Sequence, residues 1–518
     1  MKPDRFIVKI DFIFKTMTIE IMDTTLRDGE QTSGVAYTAS EKLHIARLLL
    51  EEVKVDRIEI ASARVSAGEL EAVKRITEWA AKTNRLEQVE VLAFIDGTQS
   101  IDWIRDAGAR VVNLLSKGSL KHLSGQLRKT PETHVADIRK VIESVTKSGM
   151  KANLYLEDWS NGVRHSKDYV FYLVDNLKDT SLRRIMLPDT LGILSPDETF
   201  VFCKEMCQRY PDIHFDFHAH NDYDMAVANS LAAVKAGVHG VHTTVNGLGE
   251  RAGNTPLASI VAVLKDHTEA ELSVNEEKLT LLGKMVETFS GVRIPANKPV
   301  VGENVFTQAC GVHADGDNKD NLYYNDLLPE RFGRVRKYAL GKTAGKSNVM
   351  KNLEELGIQL DPEAMQRVTR RVIELGDRKE NVTSEDLPYI ISDVLQSVGI
   401  EQRIKVHNYS LNVAEGLKSV ATLSLDVDGQ LYEETSAGDG QYDAFMNALQ
   451  KIYVPLNKYL PKLTDYVVTI PPGGRTDALV ETVITWQNAD GREFKTRGLE
   501  PDQTVSAIKA TVKMLNMI

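Results

Sequence analysis

Short apolar runs rich in β-branched residues alternate with longer stretches of helical period between Met17 and about residue 280. Eight of these runs are predicted to be strands, at residues 18–23, 56–61, 89–94, 111–116, 151–158, 183–189, 213–220 and 240–247. Each interval leaves room for one helix, and Thr38 or Ser40 can cap the helix after the first strand. Eight such units over about 250 residues predict a (β/α)8 TIM barrel. The alternative is a doubly wound open sheet, but no G-x-G-x-x-G motif follows the first strand.

The pattern changes twice after the barrel. Residues 281–400 are mostly of helical period and include a Gly-, Asn- and Asp-rich stretch at 311–326, which predicts a helical accessory region. Residues 401–518 contain an internal repeat, and each copy is predicted to be strand, Asp-Gly turn, strand, short loop and helix. The turns are Asp428-Gly429 and Asp490-Gly491, a dipeptide that favours tight hairpins. A C-terminal α+β domain of two such copies, without obvious catalytic side chains, is expected to bind an effector or a partner.

Composition excludes several classes of protein. The 518 residues are 42% hydrophobic and 26% charged, which is typical of a soluble globular protein with two or three domains. A net charge of −10 without a long basic run argues against nucleic-acid binding, and no apolar run reaches the roughly 20 residues of a membrane helix. Three cysteines fit a reducing, cytoplasmic setting. Asp4 and Asp11 interrupt the apolar N-terminus, so residues 1–16 are expected to be a short extension and not a signal peptide.

In a parallel barrel, functional side chains lie at the carboxyl ends of the strands. The polar residues predicted there are Arg27, Asp28, Glu59, Ser62, Tyr155, Glu157, Asp158, Asp189, Thr190, His218, His220, Asn221 and Asp222, followed by the Gly-rich stretch 246–254. The sequence His-Ala-His puts His218 and His220 on one face of a strand. With Asp28 they form a set of ligands suited to a divalent cation, whereas the alternative is two ordinary core histidines.

The stretch TLRDGEQTSG, residues 24–33, follows the first strand and carries more charge than a simple turn needs. Arg27 offers a fixed positive charge for an anion or a developing oxyanion beside the carboxylate of Asp28. Gly29 allows a tight turn and Gln31 can orient a ligand. Glu30 either supports the site or is a surface acid, and the sequence leaves both alternatives open.

Two further residues are predicted to face the same mouth of the barrel. Glu157 ends the fifth strand, and a carboxylate near a carbonyl compound on a metal indicates proton transfer. Thr190 follows the sixth strand and either contacts a ligand or caps the backbone there. The stretch 246–254 lets the backbone approach a ligand closely, with Asn254 as a further neighbour of the metal site.

Four motifs together resemble the signatures of the 2-isopropylmalate, homocitrate and citramalate synthase family. They are LRDGEQ at 26–31 with Lys42 downstream, FHAHNDYDMAVANS at 217–230, NGLGERAGN at 246–254 and GVHADG at 311–316. The resemblance extends over essentially the whole chain from Met17, including the repeated C-terminal domain. One position departs from the pattern, because Asp224 stands where the family usually has glycine.

The resemblance implies a Claisen-type condensation of acetyl-CoA with a 2-oxo acid on a divalent metal ion, Mn, Zn or Mg. Acetyl-CoA loses a methyl proton, the enolate attacks the keto carbon, and thioester hydrolysis then releases CoA. Carried over by matching position, the implied roles are metal ligation by Asp28, His218 and His220 with Asn254 adjacent, oxyanion stabilisation by Arg27, acid and base chemistry by Glu157 and His313, and binding of the substrate carboxylate by Thr190.

The resemblance also implies an obligate homodimer, since in this family the accessory region of one subunit reaches the barrel of its partner. His313 and a tyrosine of NLYYND, Tyr323 rather than Tyr324, would then act in trans. The C-terminal domain would be a feedback domain for an amino acid, isoleucine or, for the larger substrate, leucine. A remote alternative is a catalytically inactive barrel that only senses an effector.

Three pocket residues bear on the substrate. If Leu92, Leu115 and Tyr155 all point inward, they form a small apolar pocket suited to the methyl group of pyruvate, and their surroundings resemble the pyruvate-using members of the family. The product would be citramalate, in the threonine-independent route to isoleucine. The alternatives are 2-oxoisovalerate as the substrate and a routine core role for the two leucines. Homocitrate synthesis would need a cation here, and an acyl-CoA lyase a cysteine within 246–254; the sequence has neither.

Overall fold

The computed structural model describes residues 17–377, 382–395, 404–469 and 480–517. The chain divides into two compact units. The first contains the residues up to 307 together with 324–337, and the second contains 308–323 together with the residues from 338 onward. The predicted extension at 1–16 lies outside the described residues. Among the helices that are described, none is both long and apolar enough to cross a membrane.

Eight parallel strands close into a barrel in the first unit, in the order of the sequence. The strands are β1 (Glu20–Asp23), β2 (Arg57–Ser62), β3 (Val89–Phe94), β4 (Val111–Lys117), β5 (Lys151–Glu157), β6 (Leu182–Asp189), β7 (Phe215–Ala219) and β8 (Gly240–Thr243). β1 closes the barrel by pairing with both β2 and β8, with Ile21 opposite Val241. The (β/α)8 fold predicted from the alternating pattern is confirmed.

Helices follow the strands and pack their apolar faces on the outside of the barrel. The α-helices of this unit are Ala39–Arg47, Ala67–Lys82, Gln99–Asp106, Leu120–His122, Pro131–Lys147, Trp159–His165, Lys167–Leu177, Pro196–Arg209, Ala226–Ala236, Leu257–His267 and Leu279–Ser290. Thr38 is the N-cap of the first helix, because its hydroxyl accepts from the backbone N–H of Glu41 while the Glu41 carboxylate accepts from that of Thr38.

Three strands end earlier than the sequence pattern predicts, β5 by one residue at Glu157, and β7 and β8 as follows. β8 stops at Thr243, and the chain turns three residues later, where Asn246 and Gly247 have left-handed backbone conformations with φ of 58° and 72°. β7 stops at Ala219, so His220 lies just beyond the strand and forms an isolated bridge with Asn254. The chain therefore leaves the barrel wall where its polar side chains collect.

The second unit begins with helices that share a small apolar core. Its helices before the repeated region are Gly311–Asn318, Lys346–Glu355, Pro362–Asp377 and Leu387–Leu395. Val349, Leu353, Val368 and Val372 are buried in this core, and they recur at helical spacing in the sequence. The helical character predicted for this part of the chain follows from that spacing.

The repeated region forms two three-stranded antiparallel sheets, each followed by a helix. The first copy is Ile404–Asn412, Ser419–Val427, Gln430–Gly438 and helix Gln441–Tyr453, and the second is Lys462–Thr469, Val480–Gln487, Glu493–Glu500 and helix Gln503–Leu515. Asp428 and Gly429 have φ of 54° and 85°, as a type I′ hairpin requires. Each copy also begins with a strand that the predicted unit of strand, turn, strand, loop and helix lacks. Phe445 and Trp486 lie in one core that both copies share.

Candidate active site at the carboxyl end of the barrel

Three side chains of ligand type meet at the mouth of the barrel. Asp28 lies in the turn after β1, His218 lies in β7, and His220 follows it directly. Nε2 of His218 is 3.2 Å and Nε2 of His220 is 3.9 Å from Oδ2 of Asp28. All three residues are buried, and their ligand atoms lie within 4.8 Å of one another. The structure thus brings together the three residues that the sequence proposed as a metal site.

The unsatisfied atoms of this group fit a bound cation. Oδ1 of Asp28, Nδ1 of His218, Nδ1 of His220 and Oδ1 of Asn254 are buried and have no hydrogen-bond partner among the described residues. Leaving so many polar atoms buried without a partner is costly, and a divalent ion would supply the missing partner. The donor set of two imidazoles and one carboxylate is also one that such ions accept.

The charge states suit the same purpose. Burial by itself would raise the pKa of Asp28, but Arg27 and the two histidines outweigh it and hold that pKa well below its usual range. Burial lowers the pKa of His220 to about 4. At neutral pH the site therefore presents a carboxylate and a neutral imidazole with a free lone pair.

Arg27 is fixed in place beside Asp28. Its Nε and Nη2 atoms each lie 2.7 Å from Oε2 of Glu59, and Nη1 lies 3.1 Å from Oδ2 of Asp28. Nη2 also donates to the hydroxyl of Tyr155 at 3.4 Å. Although burial opposes the charge, the two carboxylates keep the pKa of Arg27 raised. A rigid cation of this kind can stabilise negative charge that develops in front of it.

Glu59 is a site residue to which the sequence analysis gave no role. It is fully buried in the middle of β2 and accepts hydrogen bonds from Thr24 Oγ1 and Asn113 Nδ2, both at 2.8 Å. Burial would raise its pKa, but Arg27 and these donors lower it overall. The signal in the sequence was an acid between two isoleucines of a buried strand, which needs a cationic partner.

The structure also settles the position of Glu30. Oε2 of Glu30 pairs with Nζ of Lys42 at 2.6 Å, and the same ammonium lies 2.5 Å from Oε1 of Glu69. Lys42 is fully buried and donates to the carbonyl of Leu26 at 3.1 Å. Glu30 therefore anchors the turn that carries Arg27, while Gln31 is exposed.

The proposed pocket residues form an apolar cluster of their own inside the barrel. Leu92 and Tyr155 are buried together with Met22 and Met186, and Leu115 packs against them. This cluster is separate from the main core under the helices. Because the hydroxyl of Tyr155 also contacts Arg27, the apolar cluster borders the charged part of the site.

Glu157 and Thr190 lie at the ends of neighbouring strands. Glu157 ends β5 and pairs with Lys117, which ends β4. The hydroxyl oxygen of Thr190 accepts a hydrogen bond from the backbone N–H of Asp158 at 2.9 Å. This oxygen therefore caps the backbone, which was one of the two predicted alternatives. The hydroxyl hydrogen of Thr190 is still available to donate to a ligand.

Glycines in the stretch 246–254 are required by close packing. Gly249 has φ of 151°, and a Cβ atom there would collide with the side-chain nitrogen of Asn254. Gly253 has φ of 84°, and a Cβ atom there would collide with the carbonyl of Gly247. The backbone turn that results holds Asn254, whose Nδ2 donates to the carbonyl of Leu248 at 3.2 Å.

Asp224, the one departure from the family pattern, has φ of 58°. Glycine takes this left-handed conformation without strain, and aspartate is among the few other residues that tolerate it. Nδ2 of Asn221 donates to Oδ1 of Asp224 at 3.0 Å and holds the turn. The substitution therefore keeps the backbone that follows His220.

His313 and Tyr323 lie in the second unit and contact each other there. Their ring centroids are 4.2 Å apart, and Tyr323 is 42% exposed. Tyr324 belongs to the first unit, where its ring lies 3.9 Å from the guanidinium of Arg336. Of the two tyrosines, Tyr323 is thus the one paired with His313.

A buried histidine behind β4 makes the stability of the barrel depend on pH. Nε2 of His134 accepts the backbone N–H of Lys117 at 3.3 Å, and burial lowers the pKa of His134 from 6.5 to about 4. Between pH 6.5 and about pH 4, His134 is therefore protonated in the unfolded chain and neutral in the folded chain. The free energy of unfolding falls as the pH drops from 6.5 towards 4.

We expect His134→Gln to reduce this fall by about 1 to 2 kcal/mol between pH 7 and pH 5. The measurement is urea unfolding of both proteins at each pH. His165→Gln, which alters an exposed histidine, is the control and should follow the parent chain. Equal losses in the parent and in His134→Gln would contradict the assignment.

Comparison with known families divides the chain into three matches. Residues 18–286 match the HMGL-like family, residues 300–380 match the homocitrate synthase post-HMGL domain-like family, and residues 381–518 match the LeuA allosteric (dimerisation) domain. The first match covers the barrel and every residue proposed as a metal ligand.

Relatives of similar length match nearly the whole chain. A putative (R)-citramalate synthase CimA of Methanopyrus kandleri is 35% identical, over 96% of this chain and 96% of its own length. A probable 2-isopropylmalate synthase of the same organism is 36% identical, over 96% and 98%. The (R)-citramalate synthase CimA of Methanocaldococcus jannaschii is 32% identical, over 97% and 100%. The family resemblance stated from the motifs is confirmed.

Proposed function

The chain belongs to the HMGL-like family, and we propose that it is an acyltransferase that condenses acetyl-CoA with pyruvate and water to give citramalate and CoA. This reaction would start the threonine-independent route to isoleucine. The observation that carries the choice of substrate is the small apolar cluster of Met22, Leu92, Tyr155 and Met186, with Leu115 beside it, bordering the charged site. The test is release of CoA from acetyl-CoA with pyruvate or 2-oxoisovalerate.

Asp28, His218 and His220 would hold a divalent ion, with Asn254 beside them. When bound, an Mn, Zn or Mg ion polarises the keto group of the 2-oxo acid. The carboxylate and neutral imidazole described above are the protonation states that a cation needs.

The remaining residues of the chain would handle charge and protons. Arg27, whose position is fixed by Glu59, would stabilise negative charge that develops on the keto oxygen of the substrate. Glu157 and His313 exchange protons with acetyl-CoA and the product, and Thr190 donates its hydroxyl hydrogen to the substrate carboxylate. Hydrolysis of the resulting thioester releases CoA.

The pocket should set the preference among 2-oxo acids. Leu115→Ala removes apolar volume beside Tyr155, so we expect the ratio of kcat/KM for pyruvate over 2-oxobutyrate to fall about tenfold. The measurement is CoA release at varied concentrations of each acid. Leu120→Ala is the matched control, since this leucine is 42% exposed, and it should keep the ratio of the parent chain. An unchanged ratio in Leu115→Ala would place the substrate elsewhere.

The enzyme is proposed to act as a homodimer in which His313 and Tyr323 serve the barrel of the partner subunit. The match to a dimerisation domain supports the homodimer, and the contact between the two rings supports their acting together. Mixed dimers of Asp28→Asn and His313→Ala chains test it. The mixed dimers regain activity if Asp28 and His313 of one active site come from different subunits. They stay inactive if both residues come from the same subunit.

The C-terminal region is proposed to bind isoleucine as a feedback effector, or leucine if 2-oxoisovalerate is the substrate. Its match to an allosteric domain supports a regulatory role, and the two repeats share one core that can couple them. Comparing inhibition of CoA release by the two amino acids identifies the effector. Inhibition by neither would remove the regulatory role.

A further inference from the structure

Lys117 and Glu157 form a charge pair between neighbouring strands. They are opposite each other in the register of β4 and β5, and Nζ of Lys117 contacts Oε2 of Glu157. Lys117 is only 6% exposed. Within the described part of the chain, Glu157 is the only carboxylate in an ion pair with it. A buried ammonium needs a counter-charge, and the carboxylate of Glu157 supplies it.

The pair occupies one oxygen of Glu157 and leaves the other. Oε2 accepts from Lys117, whereas Oε1 accepts no hydrogen bond from the described residues. Nδ1 of His122 lies 3.9 Å from Oε1 of Glu157, and Nε2 of the same imidazole lies 3.4 Å from Oδ2 of Asp158. Glu157 is thus a partly exposed carboxylate with one oxygen free to take a proton.

The backbone next to Glu157 is held just as firmly. Asp158 has φ of 64°, the left-handed conformation that aspartate tolerates better than most residues with a side chain. Its carboxylate accepts from Ser119 Oγ at 2.6 Å and from Asn161 Nδ2 at 2.8 Å, and its N–H donates to Thr190. These three hydrogen bonds hold the left-handed turn in place. The turn fixes the direction in which the side chain of Glu157 leaves β5.

We propose that Lys117 is the positioning residue that makes Glu157 the base of the reaction. The ammonium of Lys117 holds Oε2 of Glu157 and leaves Oε1 to face the substrate. The C–H bond of the acetyl methyl group breaks, its electron pair becomes the enolate, and the proton moves to Oε1. This role rests on the proposed condensation and assigns the other proton transfers to His313.

The test compares Lys117→Met with the parent chain. We expect kcat to fall about a hundredfold, KM for pyruvate to change less than about threefold, and the acid limb of the pH profile of kcat to move to higher pH. The deuterium isotope effect with trideuterated acetyl-CoA should increase. Lys121→Met removes an exposed lysine four residues away and should leave all four values unchanged.

A double-mutant cycle shows whether Lys117 acts through Glu157. In a Glu157→Gln background, adding Lys117→Met should cost little more, because the base is already lost. Losses that multiply would overturn the proposal, as would an unmoved pH profile in a folded Lys117→Met protein. If Lys117→Met does not fold, Lys117→Arg takes its place: it should keep the acid limb and lose less than about tenfold in kcat, and a loss as large as that of Glu157→Gln would overturn the proposal.

Failure of the proposed function gives a different result from failure of this pairing. If the parent chain releases no CoA with any 2-oxo acid, the condensation and the role of Lys117 fall together. If the parent chain is active and Lys117→Met matches it in kcat and pH profile, only the role of Lys117 is refuted.

Discussion

Asp28→Asn is expected to lower the rate of CoA release by about 10³-fold or more, the largest effect of any single substitution at the mouth of the barrel. The change keeps the shape of the side chain but removes the charge that two histidines and one arginine face. Affinity for Mn²⁺ should fall in parallel, since an amide oxygen is a much weaker ligand than a carboxylate. His218→Ala should have a comparable effect, because it removes a ligand outright.

Calorimetric titration of the metal-depleted protein with Mn²⁺ measures the affinity for this ion directly. His44→Gln is a suitable control, because His44 is exposed on the first helix and should change neither affinity nor rate. Two results would refute the metal site: full activity of the parent chain after complete metal depletion, or parent-like Mn²⁺ affinity in Asp28→Asn.

Arg27→Gln is expected to lower kcat by about 10²- to 10³-fold while KM for pyruvate changes little. The physical reason is that Arg27 is already held by Glu59 and Asp28, so its charge needs no reorganisation when the alkoxide forms. Arg27→Lys should recover only part of the rate, because an ammonium cannot reproduce the fork that contacts Oε2 of Glu59, Oδ2 of Asp28 and the Tyr155 hydroxyl together.

Arg27→Gln also leaves the buried carboxylate of Glu59 without its cationic partner, and this loss by itself destabilises the barrel. The pair Arg27→Met with Glu59→Gln separates the two effects, since it removes both charges together. It should regain thermal stability relative to Arg27→Gln but not activity. Arg64→Gln breaks an exposed ion pair with Asp96 and serves as the control. Recovery of kcat in the double variant would show that Arg27 acts only on stability.

The sequence was sufficient for the parts of the site that depend on strand ends. Alternation of short strands with helices predicted the barrel, and a barrel places Asp28, His218 and His220 at one mouth. The two histidines were recognisable because residues two apart share a face. Even so, β7 ends one residue before His220, since the chain bridges to Asn254 there.

The charge pairs between strands could not be predicted from the sequence. Lys117 meets Glu157, and Arg27 meets Glu59, because of the register and tilt with which the strands close the barrel. No local pattern specifies that register. The same holds for the apolar cluster, in which Met22 of β1 and Met186 of β6 join Leu92 and Tyr155; Met186 lies opposite Tyr155 in the register of β5 and β6.

The most direct measurement is release of CoA from acetyl-CoA by the purified chain with a divalent metal ion, comparing kcat/KM for pyruvate and for 2-oxoisovalerate. The pocket predicts a preference for pyruvate of about tenfold or more. A preference for 2-oxoisovalerate would keep the metal site and Arg27 in their roles but show that Leu92, Leu115 and Tyr155 leave room for an isopropyl group. Release with neither acid would contradict the proposed acyl transfer itself.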